Sequence, residues 1–418
     1  MKALLFERSV PRLAAARLVS QFGSGRGAKV APLRLVDADP PRLPAPGWHR
    51  VIPTLSGICG SDLATLDGRS SRYFEALVSF PFVPGHEVVG TLEGAAVAAD
   101  GSLLAAGDRV VIQPALGCQA RGLQPLCPSC SSGHLGDCER VALGHVKPGI
   151  QTGFCADTGG GWSAAGLVAH ESQLFFVPEA LSDADAVTVE PLACAIHGVL
   201  GAGLHAEDVV AIIGAGSLGL LTLAAMTWLG ATGAVAAPKA VLVGARYPAQ
   251  RRLADDLGAT AVLAPEQLGR AVRRRSRSLT IGASGSRLTG GADVIFDCVG
   301  TSDSIGHALE MVRPRGTVVL IGMPGRVSLD LAPLWHREVR LCGAYAYGIE
   351  TTRSEATPTF ALALEAAAAM RTGRLVSATY PLERFEDAVA HAGAAGRRGA
   401  IKIAFEPRRS TTARGGLR

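Results

Sequence analysis

What the 418-residue chain lacks bounds it before any motif is read. No apolar run reaches the roughly eighteen residues a membrane-crossing helix requires, although 48% of the residues are hydrophobic and only 18% are charged. The opening MKALLFERSVPRLAAARLV is interrupted by Glu7, Arg8 and Pro11 and carries no cleavage signal. A cytoplasmic protein with no membrane partner is the expectation. A basic body is missing too. The net charge is +5, but eight arginines sit in two short stretches, RRRSRS at 273–278 and the closing PRRSTTARGGLR, and without them the chain stands at −3. Such stretches read as solvated segments and argue against nucleic acid as a partner. There is no internal repeat, and the length suits two ordinary domains, each with its own core. Nine cysteines without an export signal would stay reduced, so closely spaced ones point to metal rather than to disulfides.

The most legible stretch is DVVAIIGAGSLGLLTLAAMTWLG. A β-branched strand leads through Gly214, Gly216, Ser217, Leu218 and Gly219 into an apolar helical run. In that context the first glycine makes a tight turn, the second lets backbone approach a pyrophosphate, and the third lets helix pack on strand. Strands at AVLVGA, ADVIFDCVG and GTVVLIGMPG alternate with helical PAQRRLADDLGA and SDSIGHALEMV, the pattern of a doubly wound parallel sheet. Here an absence selects the cofactor. The second strand ends in VLVGARYPAQRR, with no Asp or Glu to accept from ribose hydroxyls. A carboxylate would repel a 2′-phosphate and an arginine binds one, so the reading is NADP(H), with Gly244 and Ala245 making room and Arg246 as the anion clamp.

Cys59 in SGICGSDL, with His86 and Glu87 in FPFVPGHEVVG, offers thiolate, imidazole and carboxylate, the donor set of a catalytic zinc. The order GICGSD, GHEVVG, GDRVV, a cysteine lobe, VEPLACAIHGV and then the glycine motif resembles the zinc-dependent medium-chain alcohol dehydrogenases and their polyol and threonine dehydrogenase relatives, from MKALL to RGAIKIAFEP. The resemblance implies a GroES-like β-rich catalytic domain at 1–188 and 342–418 and a Rossmann NADP-binding domain at 189–341. It makes Cys59 and His86 zinc ligands, Glu87 a carboxylate on or just behind the metal, and Glu190 the last ligand. Cys194, one turn beyond Glu190, is a rival thiolate but more often such a residue is a small core hydrophobe. Asp62 is expected to orient His86, and His197 to be a helix residue rather than a ligand. Ser61 matches the hydroxyl that touches the substrate oxygen and starts the proton relay. Relatives continue that relay through a histidine whose place is taken here by Ala64.

The lobe, about 117–140, has another gap. LCPSCSSGHLGDC supplies Cys127, Cys130 and Cys138, but the family's first cysteine falls on Gln124. Cys118 lies six residues further upstream, and a loop of eight residues is ample to bring it back. The expectation is a structural zinc held by Cys118, Cys127, Cys130 and Cys138. A metal-free lobe, and a three-cysteine site completed by His134 or water, stay open. QFGSGRGAKVAPL and RRRSRSLTIGASGSRLTGG read as loop insertions, and the last dozen residues as disordered.

The resulting function is a zinc- and NADP(H)-dependent oxidoreductase acting on an alcohol or carbonyl of polyol, secondary-alcohol or amino-alcohol type, with a homodimer or homotetramer implied by family habit. The alternative is a non-catalytic, redox-responsive NADPH-binding regulator on the same fold. Zinc-free quinone reductases fit less well, because they lack Cys59 and the lobe cysteines.

Overall fold

The computed structural model describes residues 1–282, 287–352 and 355–409. They form two compact units. Pro191–Ala346 with Glu350–Leu362 is built on six parallel strands in the order Ala261–Leu263, Ala240–Gly244, Val209–Ile213, Ala292–Asp297, Val312–Leu320 and Arg340–Gly343. The central runs VVAII, AVLVG and ADVIFD are buried almost throughout, as β-branched strands covered on both faces must be. The chain winds outward from Val209–Ile213, returns past it, and winds out on the other side, which is the anticipated doubly wound order.

The Ser217–Ala231 helix follows the first of these strands, and its residues from Gly219 to Met226 are all buried. Gly214 turns the chain at φ +92°, a conformation that favours glycine. A Cβ on Gly219 would lie 1.8 Å from the Gly214 carbonyl oxygen, so helix and strand close together only because that position is bare.

Two expectations need correcting. Arg273, Arg274 and Arg275 are not loop: they form the last turn of the Pro265–Arg275 helix, whose Leu268, Ala271 and Val272 are buried. Three cations there lie where the helix dipole favours them. Beyond it Thr280–Ile281 pairs antiparallel with Arg287–Leu288. The stretch 21–33 is likewise not bare loop, since it follows a Val10–Ser20 helix and contains a 3₁₀ turn at Arg26–Lys29. Fully buried Asp67 organises it by accepting from the Gly25 and Gly27 amides, the Ser24 hydroxyl and the Arg69 guanidinium. Of the closing dozen residues expected to be disordered, 410–418 lie outside the described residues.

The other unit takes Met1–Glu190, Tyr347–Ile349 and the chain from Ala363 on. Its mixed sheet runs Val376–Tyr380, Lys402–Phe405, Trp48–Gly57, Val88–Leu92, Arg109–Ile112 and Leu174–Phe176, with Leu167–His170 also paired to Trp48–Gly57. Phe6, Phe82, Phe154, Trp162 and Phe405 pack in one buried cluster with Leu66 of the Gly60–Leu66 helix. Register places the chemistry. Ser56 pairs with Val88 and Gly57 with Ala404, so residues just past or before those pairings meet around Gly57. These are Cys59, His86, Glu87 and Lys402. Among the described residues, no helix is long and apolar enough to cross a membrane.

Gly219→Ala is expected to destabilise the protein by about 1–3 kcal/mol by forcing strand and helix apart. Denaturant unfolding measures this, and unchanged stability would mean that the contact is looser than described.

Candidate active site

Cys59 caps the Gly60–Leu66 helix in an extended conformation, and its amide donates to Asp62 Oδ2 at 2.9 Å. His86 and Glu87 follow Gly85, whose φ of +100° and contact with Trp162 exclude a side chain. Ligand atoms of Cys59, His86 and Glu87 all lie within 4.8 Å of one another, and both His86 and Glu87 are buried. His86 Nδ1 and Asp62 Oδ1 face each other at 3.6 Å, each without a hydrogen bond. A thiol, an imidazole and a carboxylate converging in a buried place, with a second carboxylate against the ring, fit a divalent ion of zinc type. Burial alone would discharge His86. Asp62, with Cys59 behind it, outweighs burial and raises its pKa well above the ordinary value.

Glu190 is buried at the start of the Val189–Gly201 helix but does not belong to that close group. Burial pushes its carboxyl up to about 7, opposed by the charge of His86 and reinforced by Glu87; Lys402 and a hydrogen bond from Tyr347 pull it back. Cys194, on the same helix, is half-buried and likewise outside the group. His197 is engaged elsewhere, 2.6 Å from Glu350 through Nδ1. Ser61 is half-buried in the first helical turn, where its carbonyl accepts from Thr65 Oγ1 at 2.9 Å. Ala64 is half-buried too, and Thr65 Oγ1 stands 3.0 Å from Ser70 Oγ.

The residue that sequence reasoning missed is Lys402. Its ammonium and the Glu87 carboxylate form an ion pair in which each side chain is 1% exposed. Burial favours the neutral amine, but Glu87, Cys59 and Glu190 together hold the lysine charged and raise its pKa. Gly57 makes the space, since a Cβ there would meet Glu87 Oε2 at 1.9 Å and Lys402 Cε at 2.9 Å. The available signal was a lone lysine in KIAF, a strand otherwise apolar and fully buried.

The four sulfurs of Cys118, Cys127, Cys130 and Cys138 also lie within 4.8 Å of one another, and His134 is not in the group. The amides of Cys118, Cys127 and Cys130 point at the sulfurs of Cys130, Cys118 and Cys127, at 3.4, 3.4 and 3.5 Å. Burial raises the thiols of Cys130 and, to about 11, of Cys138. In Cys127 the amides of Cys130 and Glu139 overcome burial and bring the thiol down to about 7. Four sulfurs this close, unoxidised, fit a tetrahedral zinc with no further donor.

In the parallel sheet Ile213 pairs with Gly244, so the glycine turn and Arg246 leave neighbouring strand ends on one edge. The Ser217–Ala231 helix begins on Gly216, where a Cβ would meet nothing within 4 Å, leaving its first amides approachable by an anion. Ser217 and Leu218 lie in its first turn, and Arg246 is exposed. Gly244 and Ala245 are buried, and a Cβ on Gly244 would stand 3.3 Å from Leu268.

Residues 45–179 match the alcohol dehydrogenase GroES-like domain family and residues 219–364 the zinc-binding dehydrogenase family. The chain is 31% identical to an L-idonate 5-dehydrogenase of Vitis vinifera over 70% of its own length and 71% of the relative's. It is 30% identical to a sorbitol dehydrogenase of Arabidopsis thaliana, over 73% and 76%. Among solved structures, a zinc-binding dehydrogenase of Sinorhizobium meliloti 1021 bound to NADP is similar at 26% identity and TM-score 0.64, over 90% of this chain and 95% of that one. An alcohol dehydrogenase of Thermus sp. ATN1 is similar at 25% identity and TM-score 0.65, over 97% and 99%. All four are named as dehydrogenases, which leaves the regulator reading without support.

Removing one partner of the buried pair strands the other's charge. Lys402→Met is therefore expected to destabilise by about 3–5 kcal/mol, and adding Glu87→Gln to restore much of that loss. A double-mutant cycle in denaturant checks this, and additive losses would show the two residues to be uncoupled.

Proposed function

The chain belongs to the zinc-dependent medium-chain dehydrogenase family, and on that premise we propose that it moves a hydride between NADP(H) and the carbinol carbon of a polyol or related secondary alcohol. The observation that carries the reading is the convergence of Cys59, His86 and Glu87 on one buried point, with Asp62 against the imidazole. Cys59 and His86 hold the zinc, Glu87 stands on or behind it under the control of Lys402, and Glu190 supplies a further carboxylate beyond the close group. When bound, zinc supplies Lewis acidity at the substrate oxygen. Oxidation would take a proton and a hydride from the alcohol, the hydride passing to bound NADP⁺, and would leave the carbonyl product; reduction is the reverse.

This chain's residues have separable tasks. Asp62 fixes the imidazole's orientation, leaving its other nitrogen for the metal. Ser61 takes the hydroxyl proton, and with Ala64 where relatives have the next imidazole, water completes the transfer. Gly214, Gly216 and Gly219 admit the pyrophosphate to the helix N-terminus, with Ser217 and Leu218 contributing backbone amides. Arg246, with no acid on its strand end, takes the 2′-phosphate, a reading supported by the NADP found in the Sinorhizobium relative. The polyol leaning comes from the idonate and sorbitol dehydrogenases. Cys118, Cys127, Cys130 and Cys138 hold a second, structural zinc. We place the enzyme in the cytoplasm as a dimer or tetramer, with Met1–188 and 342–418 as catalytic domain and 189–341 as cofactor domain.

Metal analysis followed by an NADP⁺ reduction screen over polyols and secondary alcohols tests the whole reading. Two zinc per chain and a polyol hit are expected; turnover that survives complete zinc removal would overturn it. Arg246→Ala should raise KM for NADP⁺ about 10- to 100-fold while leaving NAD⁺ kinetics almost untouched, as befits one charge-assisted contact. Ser61→Ala should lower kcat about 100-fold or more, with the loss concentrated in the proton-dependent arm of the pH profile. Unchanged turnover at every pH would remove Ser61 from the relay.

A further inference from the structure

Arg121 lies in the eight-residue loop between Cys118 and Cys127 and is 0% exposed. Its guanidinium donates only to backbone carbonyls: Nε to Leu116 at 2.9 Å, Nη1 to Leu143, Val146 and Lys147 at 2.9, 3.0 and 3.5 Å, and Nη2 to Gly149 at 2.6 Å. Among the described residues no carboxylate pairs with it. Burial lowers its pKa from the ordinary value, and the ionisable groups that oppose this are the sulfurs of Cys155, Cys138 and Cys118. Carbonyl dipoles satisfy the N–H groups of a buried cation without neutralising it. A divalent ion in four thiolates carries a net charge of −2, which is the anion this cation lacks.

We propose that Arg121 is the buried counter-charge of the four-cysteine lobe and ties that lobe to the segment reaching Phe154, which packs on His86. This rests on the reading of the lobe as a metal site. The connection is continuous. Arg121 gathers the carbonyls of 143–149, and its own carbonyl accepts from the His145 amide at 3.1 Å. Gly144 keeps a bare face toward that carbonyl, where a Cβ would come within 2.2 Å. Directly after Gly149, the Leu116 amide donates to Ile150, Ala115 bridges Gln151 and the Thr152 amide donates to Pro114. The Phe154 ring then stands 5.8 Å from the His86 imidazole and 5.2 Å from Phe82. Arg121 is thus a positioning residue: it touches neither metal nor substrate, yet a loaded lobe would supply the net negative charge that its carbonyl partners do not.

The test separates charge from scaffolding by comparing Arg121→Lys with Arg121→Gln, since both lose the guanidinium's fork of hydrogen bonds and only the first keeps the charge. Zinc release to a chelator is followed on the full chain. Arg121→Gln is expected to lose its lobe zinc about 10- to 100-fold faster than the parent, and Arg121→Lys to stay near the parent rate. Equal rates in the two variants would overturn the proposal by showing a scaffold alone. Cys118→Ser assigns the lobe zinc: a parent with two zinc per chain and a variant with one supports the underlying reading. A parent with one zinc, unchanged by Cys118→Ser, removes the lobe metal and the proposal with it. If the Gln variant does not fold, hydrogen exchange on Cys118→Ser decides. Faster exchange in 143–155 supports the link to Phe154, and unchanged protection overturns it.

Discussion

The constraint on which this protein turns is the burial of anions. Glu87 and Glu190 are buried near a half-buried Cys59, at the ends of two β-strands and the start of one helix, where water hydrates the carboxylates poorly. Buried negative charges of this kind persist only beside cations or by taking up protons. Glu190 shows the pressure, its carboxyl pushed to about 7 by that burial. Lys402 relieves part of it through its pair with Glu87, and the remaining donors fit a divalent ion, whose charge would relieve the rest.

The cysteine lobe repeats this logic with different residues. Four sulfurs converge, and the nearby protein cation is again fully buried, but here it is satisfied by backbone carbonyls, which do not neutralise it. Lys402 and Arg121 differ as their chemistry dictates. The compact ammonium makes a single tight pair with one carboxylate, whereas the guanidinium fork reaches five backbone carbonyls and can organise a loop. The longer gap between Cys118 and Cys127 is thus accommodated by an ordered loop that carries its own counter-charge.

Much of the candidate site could be read from residue order. GICGSD, GHE and the glycine turn each occupy the local structure their chemistry demands, because tight turns, helix starts and strand ends are set by neighbours in the chain. The return of Cys118 to the lobe was also within reach, since closing a short loop costs little. Arg273–Arg275 and the 21–33 stretch misled the reading for a shared reason. Polar and glycine-rich runs look like loop until a helix dipole, in one case, or the buried Asp67 carboxylate, in the other, supplies what their composition does not.

The amino-acid sequence by itself determined the parallel nucleotide sheet, the metal donor types and the nucleotide turn, since periodicity, spacing and backbone freedom act over a few residues; the second sheet was legible only through the family resemblance. Only the tertiary structure decided which cations answer those donors. Lys402 lies 315 residues from Glu87, and Arg121 meets four of its five carbonyls 22 to 28 residues downstream. Charge balance in a low-dielectric interior depends on distance through space, and no local pattern encodes that.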